Sequence, residues 1–136
     1  MRILALDHGT RRVGVAVSDE LQLIASPLEF IPAEPFEDFL ARLRQILGEK
    51  EVGLILIGMP RNMDGSYGPA AQKVRDFVAA LQSEITVPIK TLDERLTTVQ
   101  AQRSLIQANV RRDQRKQKVD MTAAAILLQS HLDSLS

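Results

Sequence analysis

Three carboxylates in this 136-residue chain stand where apolar sequence meets a turn or an element boundary. Asp7 follows the run Ile3-Leu4-Ala5-Leu6. Glu94, with Asp93 before it, follows the segment from Val87 to Leu92. Asp120 precedes the apolar stretch Met121-Thr122-Ala123-Ala124-Ala125-Ile126-Leu127-Leu128. A carboxylate beside buried sequence is costly unless a cation or backbone N–H groups compensate it. A divalent metal is one such cation, and Mg²⁺ favours carboxylate oxygens. Each acid alone also has a simpler explanation. Asp7 suits a turn in which it bonds its own backbone. Glu94 suits an exposed ion pair with Arg95, and Asp120 suits the positive end of a helix macrodipole. Metal chemistry requires that the three converge, which spacing along a chain does not establish. His8 and His131 read as packing or surface residues, and the absence of cysteine excludes disulfides and thiolate metal sites.

Charge is balanced, with 17 basic and 17 acidic residues, so the chain is not a globally basic nucleic-acid binder. Its distribution is uneven. Glu29 to Glu51 is mainly acidic, whereas Arg103 to Lys118 carries Arg103, Arg111, Arg112, Arg115, Lys116 and Lys118 against Asp113 alone. A basic edge of this kind suits a phosphate backbone, and equally suits a solvated loop. No apolar run approaches the roughly 18 residues of a membrane span. The N-terminal apolar run stops at Asp7, short of a signal peptide's core. The expectation is a cytoplasmic protein without a membrane partner.

These residues need elements to hold them. Arg2 to Asp7 and Val13 to Ser18 read as strands joined by a hairpin connection. A third strand covers Ile24 to Ile31, with Pro27 suggesting an edge position. Phe36, Phe39, Leu40, Leu43, Ile46 and Leu47 follow helical spacing, with Pro35 at the start and Gly48 just past the end. Val52 to Met59 reads as a buried parallel strand. Pro60 to Gly68 is a loop. Pro69 starts a second helix with Val74, Phe77, Val78, Leu81 and Ile85 on one stripe. A short strand spans Val87 to Leu92. Thr97 and Gln100 form a capping box for a third helix ending near Ala108. A last helix, apolar nearly all round and therefore buried, runs from about Lys118 to Leu132, with positions 120, 124, 127 and 131 on one face. The order predicts one α/β domain over 1–136, a mixed five-stranded sheet with helices on both faces.

Four ordered segments resemble the YqgF family. They are Asp7-His8-Gly9-Thr10-Arg11-Arg12-Val13-Gly14, Gly58-Met59-Pro60 leading to Asp64-Gly65, Asp93-Glu94-Arg95-Leu96-Thr97-Thr98, and Lys118-Val119-Asp120-Met121-Thr122-Ala123-Ala124. The resemblance spans essentially the whole chain. It implies a ribonuclease H-like fold and kinship with Holliday-junction resolvases. It also implies the activity described for the family, nucleolytic processing of pre-16S rRNA. The family's acidic triad carries over onto Asp7, Glu94 and Asp120. Asp93 is the less suitable member of its pair, because adjacent strand residues face opposite ways.

What the resemblance implies is metal-dependent phosphodiester hydrolysis. Two Mg²⁺ or Mn²⁺ ions about 3.5–4 Å apart would activate water and relieve charge on the phosphate. Asp7 would bridge them, with Glu94 and Asp120 holding one each. Arg11, Arg12 and Arg95 stand beside the acids and suit forked bonds to phosphate. Arg61 and Asn62 lie after a buried strand, at the usual ligand end of a parallel sheet. Arg111, Arg112, Arg115, Lys116 and Lys118 would clamp the backbone. With one Tyr, four Phe and no Trp, base stacking is not expected to dominate.

The expected substrate is structured nucleic acid, with pre-rRNA, alone or within ribosomal particles, ahead of branched DNA. A junction resolvase would act as a symmetric homodimer, whereas an RNA-processing enzyme could be a monomer. Two other classes compete. Asp-x-Gly-Thr also resembles the phosphate loop of actin-like kinases and ATPases, but those bind nucleotide between two domains and this chain has length for one. A nucleic-acid-binding or ribosome-assembly module that does not cleave is the other.

Overall fold

The computed structural model describes residues 1–60, 66–94 and 122–135. Five strands form one sheet: β1 (Arg2–His8), β2 (Arg12–Ser18), β3 (Ala25–Pro32), β4 (Val52–Met59) and β5 (Ile89–Asp93). Three described helices pack on it: α1 (Phe36–Glu49), α2 (Pro69–Gln82) and α3 (Ala123–Ser134). The strand order is β3-β2-β1-β4-β5. The β1–β2 and β2–β3 pairs are antiparallel, and β1–β4 and β4–β5 are parallel. The mixed sheet expected from the element order is therefore present. Among the described residues no helix is long and apolar enough to cross a membrane.

Strand alternation divides the core into two layers. Leu4, Leu6, Val13, Val15, Ile55 and Ile57 face α1 and α2, where Phe39, Leu43, Val74, Phe77 and Leu81 meet them. Ile3, Ala5, Ala16 and Leu56 face the other way, against Ala124, Ala125, Leu128 and Leu132 of α3. β4 is buried on both faces, which is why it reads as an unbroken apolar run. Pro27 lies on the edge strand β3, as its lack of a ladder donor requires. The β2–β3 register also slips there, between Val15 and Ala16.

Two helix boundaries differ from expectation. Gly48 lies inside α1, which continues to Glu49 and caps at Lys50. The last helix does not start near Lys118. Thr122 is extended and is its N-cap, with Oγ1 accepting a 3.1 Å bond from the Ala125 N–H. A threonine that bonds the backbone three residues on competes with helix propagation through it, so α3 begins at Ala123. Asp120 itself lies outside the described residues. The helix expected from Thr97 lies outside the described residues.

α3 is anchored by a buried amide. Gln129 is 1% exposed. Its Oε1 accepts from Ala25 N at 2.8 Å, and its Nε2 donates to Leu23 O at 3.1 Å and Asp133 Oδ1 at 2.9 Å. On the opposite layer, the Arg42 guanidinium of α1 bonds both carboxylate oxygens of Glu29 on β3.

Candidate active site

Asp7 lies one residue short of the end of β1, on the face turned to α3, the same face as Ile3 and Ala5. Glu94 lies one residue past β5. Leu92 packs in the α3 layer, so Asp93 points the other way. β1 and β5 are not neighbours: β4 runs between them, and two strand spacings put them about 10 Å apart. The acids meet because the residue of β4 between them is Gly58. In register, Ile57 pairs with Leu6 and Gly58 with Leu92. A Cβ at Gly58 would stand 2.7 Å from Glu94 Oε1, 3.0 Å from Glu94 Cγ and 3.1 Å from Leu127 Cδ2. The missing side chain opens a trough across β4, and Glu94 occupies it.

Asp7 has a second glycine on its other flank. Gly14 is its register partner on β2, and a Cβ there would be 3.3 Å from the Phe30 ring and 3.8 Å from Ala124 Cβ. Small residues on both sides let α3 approach and leave a cavity of ≈ 320 Å³ lined by Asp7, Glu94, Ala123, Ile126 and Leu127. Two acids thus share a half-apolar recess.

Burial, then the Asp7 charge, then a hydrogen bond to Asp7, and last the Asp93 charge push the Glu94 carboxyl up to about 7. Below about pH 7 Glu94 therefore holds a proton, in a hydrogen bond with Asp7. Like charges this close do not both ionise without a compensating cation. The two acids offer the oxygen donors that a hard divalent cation would take.

The β1–β2 connection borders the acids. Gly9 N donates to Arg12 O at 3.0 Å, and a Cβ at Gly9 would stand 2.6 Å from that oxygen, so the turn requires glycine. The exposed Arg11 lies in this turn, and the exposed Arg12 opens β2. With Asp7, Gly9, Thr10, Gly14 and Phe30 they line a second depression of ≈ 540 Å³. The Arg12 guanidinium carbon lies 3.9 Å from the Phe30 ring centroid.

Of the expected site residues, the structure brings Asp7 and Glu94 together and sets Arg11 and Arg12 beside them. Asp120, Arg61, Arg95, Arg111, Arg112, Arg115, Lys116 and Lys118 lie outside the described residues. Among the described residues no third acid or histidine joins the pair. His8 faces α2, its ring 4.5 Å from that of Phe77, with its pKa lowered chiefly by burial. His131 on α3 is half-buried, and burial and Lys90 lower its pKa. Both fit packing roles. Sequence reasoning placed Gly58 within the strand Val52 to Met59 and in the family's second motif, but gave neither it nor Phe30 a part in bringing the acids together. The available signal at Gly58 was a glycine inside an otherwise continuous strand, which marks a close approach.

Comparisons over the whole chain identify its relatives. The sequence matches the RuvX family, described as Holliday junction resolvase, over residues 1–134. It is 47% identical over 133 residues to a protein of Halothermothrix orenii, covering 98% of this chain and 95% of that one. It is 48% identical over 134 residues to one of Desulforamulus reducens, covering 98% of each. Both relatives bear the name "Putative pre-16S rRNA nuclease". Among solved structures it resembles Thermus thermophilus RuvC in complex with a Holliday junction substrate, with TM-score 0.54 and 19% identity over 97% of this chain and 90% of that one. It also resembles the fowlpox virus resolvase in complex with Holliday junction DNA, with TM-score 0.53 and 14% identity over 99% of both chains. At these identities the likeness concerns the fold, which is ribonuclease H-like. With a match over nearly its full length and relatives close to half identical, this chain belongs to the RuvX (YqgF) family of nucleases.

Proposed function

We propose that this protein hydrolyses phosphodiester bonds of structured nucleic acid at the Asp7–Glu94 recess, and that its substrate is the precursor of 16S rRNA. The observation that carries this reading is the pair of hydrogen-bonded carboxyls meeting over Gly58 at the ligand end of the parallel strands. The names of the close relatives point to pre-16S rRNA, and a cytoplasmic location accords with that substrate.

Asp7 and Glu94 would hold Mg²⁺ or Mn²⁺, with Asp120 on sequence grounds as the third ligand. Bound there, a pair of ions supplies an activated water and neutralises charge developing on the phosphate. The protein's own contributions are distinct. Asp7 presents its side chain in a recess walled in part by the apolar Ile126 and Leu127. Glu94 would have to be ionised to hold the ion, which makes its affinity pH-dependent. Arg11 and Arg12 offer forked donors to phosphates flanking the scissile bond. Arg61, Arg95, Arg111, Arg112, Arg115, Lys116 and Lys118 would extend that contact along the backbone, giving binding a steep salt dependence.

A second reading is junction resolution in DNA, favoured by the family's description and by fold neighbours solved with Holliday junctions. It requires two active sites in a symmetric dimer.

The deciding experiment incubates purified protein with Mn²⁺ or Mg²⁺ and two labelled substrates, a pre-16S 5′-leader RNA and a four-way DNA junction. Asp7→Asn serves as control. RNA cleavage lost in the variant supports the proposal, and junction cleavage alone selects the second reading. Cleavage unchanged in Asp7→Asn would remove the recess from the chemistry.

A further inference from the structure

The depression beside the acids carries more than positive charge. Phe30 is 47% exposed although it sits on a strand. It lies on the α3 face, against the bare backbone of Gly14, which is Asp7's own register partner. Arg12 spreads over its ring at 3.9 Å and is itself exposed. An arginine held against an aromatic ring keeps one face of its planar guanidinium covered and the other open. Asp7 lines the same depression. Its volume, ≈ 540 Å³, falls within the range of small-ligand sites.

A surface patch of arginines meant only for a duplex backbone needs no aromatic support, because phosphates are met edge-on. Nucleobases that leave the helix stack on aromatic rings and on guanidinium planes. A base placed on the outer face of Arg12 would lie in the depression whose wall is Asp7. Its sugar-phosphate would then run toward the Asp7–Glu94 recess.

We propose that Arg12 and Phe30 form a two-layer stacking platform for one unpaired nucleobase next to the scissile phosphate, so that the enzyme selects a flexible nucleotide at that point over a fully paired one. Arg12 touches the base, and Phe30 is a positioning residue acting through Arg12. The inference rests on the nuclease reading above and deepens it: it assigns the recess a substrate that is locally single-stranded. It also narrows the expectation drawn from the low aromatic content, since one ring suffices at one position.

The test measures binding in the Asp7→Asn background, so that cleavage plays no part. Probes are a single-stranded RNA bearing scattered 2-aminopurine and a blunt duplex of the same sequence. Phe30→Leu should weaken binding of the single strand by about tenfold, in keeping with the loss of one stacked base, and change duplex binding much less. A base moved from the strand's own stack onto Arg12 loses its quenching neighbours, so 2-aminopurine fluorescence should rise when the parent protein binds, and Phe30→Leu should diminish that rise. Arg12→Lys keeps the charge but lacks the plane. It should reproduce the selective loss while leaving the salt dependence of binding unchanged. Equal losses for both probes, or an undiminished fluorescence rise in Phe30→Leu, would overturn the platform and leave the nuclease reading standing. Absence of binding to either probe by the parent would overturn both. Thermal unfolding of each variant checks that the fold is kept, and Phe30→Tyr, which preserves the ring, should bind like the parent.

Discussion

Gly58 lies directly beneath Glu94: a single methyl group on its Cα would stand 2.7 Å from Glu94 Oε1. That absent side chain is what lets carboxyls from β1 and β5 meet across the intervening β4. Gly58→Ala should therefore act on the site before it acts on the fold. The closest clash is with the movable end of Glu94, while Leu127 Cδ2 at 3.1 Å must also give way. The expected stability loss is about 1–3 kcal/mol, typical of overpacking. Cleavage should fall by about a hundredfold, since displacement of a reacting group by about an ångström can cost that much. Denaturant unfolding and single-turnover cleavage check the two effects separately. Full activity in this variant would mean that Glu94 need not occupy the trough.

The titration of Glu94 gives a pH prediction for the metal-free protein. Its carboxyl moves from the ordinary 4.5 to about 7, by burial first and by Asp7 second. A folded-state value above the unfolded one contributes stability that is complete below pH 4.5 and lost as pH rises through 7. The unfolding temperature should therefore fall across that window, and Glu94→Gln should flatten the fall. Asp7→Asn should lower the Glu94 pKa only part of the way, because burial remains. Carboxyl-resolved NMR titration reads this directly. A fully ordinary value in Asp7→Asn would make the neighbouring charge, and not burial, the main cause.

Mg²⁺ competes with that proton. If Asp7 and Glu94 hold the ion, its stabilising effect should be larger at pH 8 than at pH 5, because at the lower pH binding must displace a proton. Thermal shift measurements with and without Mg²⁺ at both pH values test this. An equal shift at the two pH values would place the ion elsewhere.

Gln129 predicts a purely structural effect. Its side chain closes three hydrogen bonds, two of them to the backbone at Leu23 and Ala25. Gln129→Leu keeps the apolar contacts and leaves those backbone groups unpaired, at a cost of about 1–3 kcal/mol in denaturant unfolding. A neutral result would mean that water or a shift of α3 satisfies them.

Arg11 offers an electrostatic check. Its replacement by Ala should weaken nucleic-acid binding uniformly across sequences and lower the salt slope by about one. An unaltered slope would show that it makes no phosphate contact.

The sequence by itself determined the elements. The short apolar runs Ile3–Leu6 and Val13–Val17, the longer run Val52–Met59 and the helical stripe from Phe36 to Leu47 mark strands and a helix, because burial on both faces leaves strands apolar throughout and burial of one helix face enforces period 3.6. The acids at the ends of β1 and β5 were legible for the same reason, as charges beside apolar strands. Local sequence misled at α3, where Asp120 resembled a first-turn acid but the Thr122 side chain caps the helix two residues later. What only the tertiary structure decided is the meeting of Asp7 and Glu94. Spacing along the chain did not establish that the two acids converge. The parallel register puts β4 between them and Gly58 at the crossing point. The stack of Arg12 on Phe30 is likewise a product of register, 18 residues apart in the chain and joined because β2 and β3 pair Gly14 with Phe30. Periodicity records which face a residue takes, whereas long-range register, which no local pattern encodes, fixes what lies across from it.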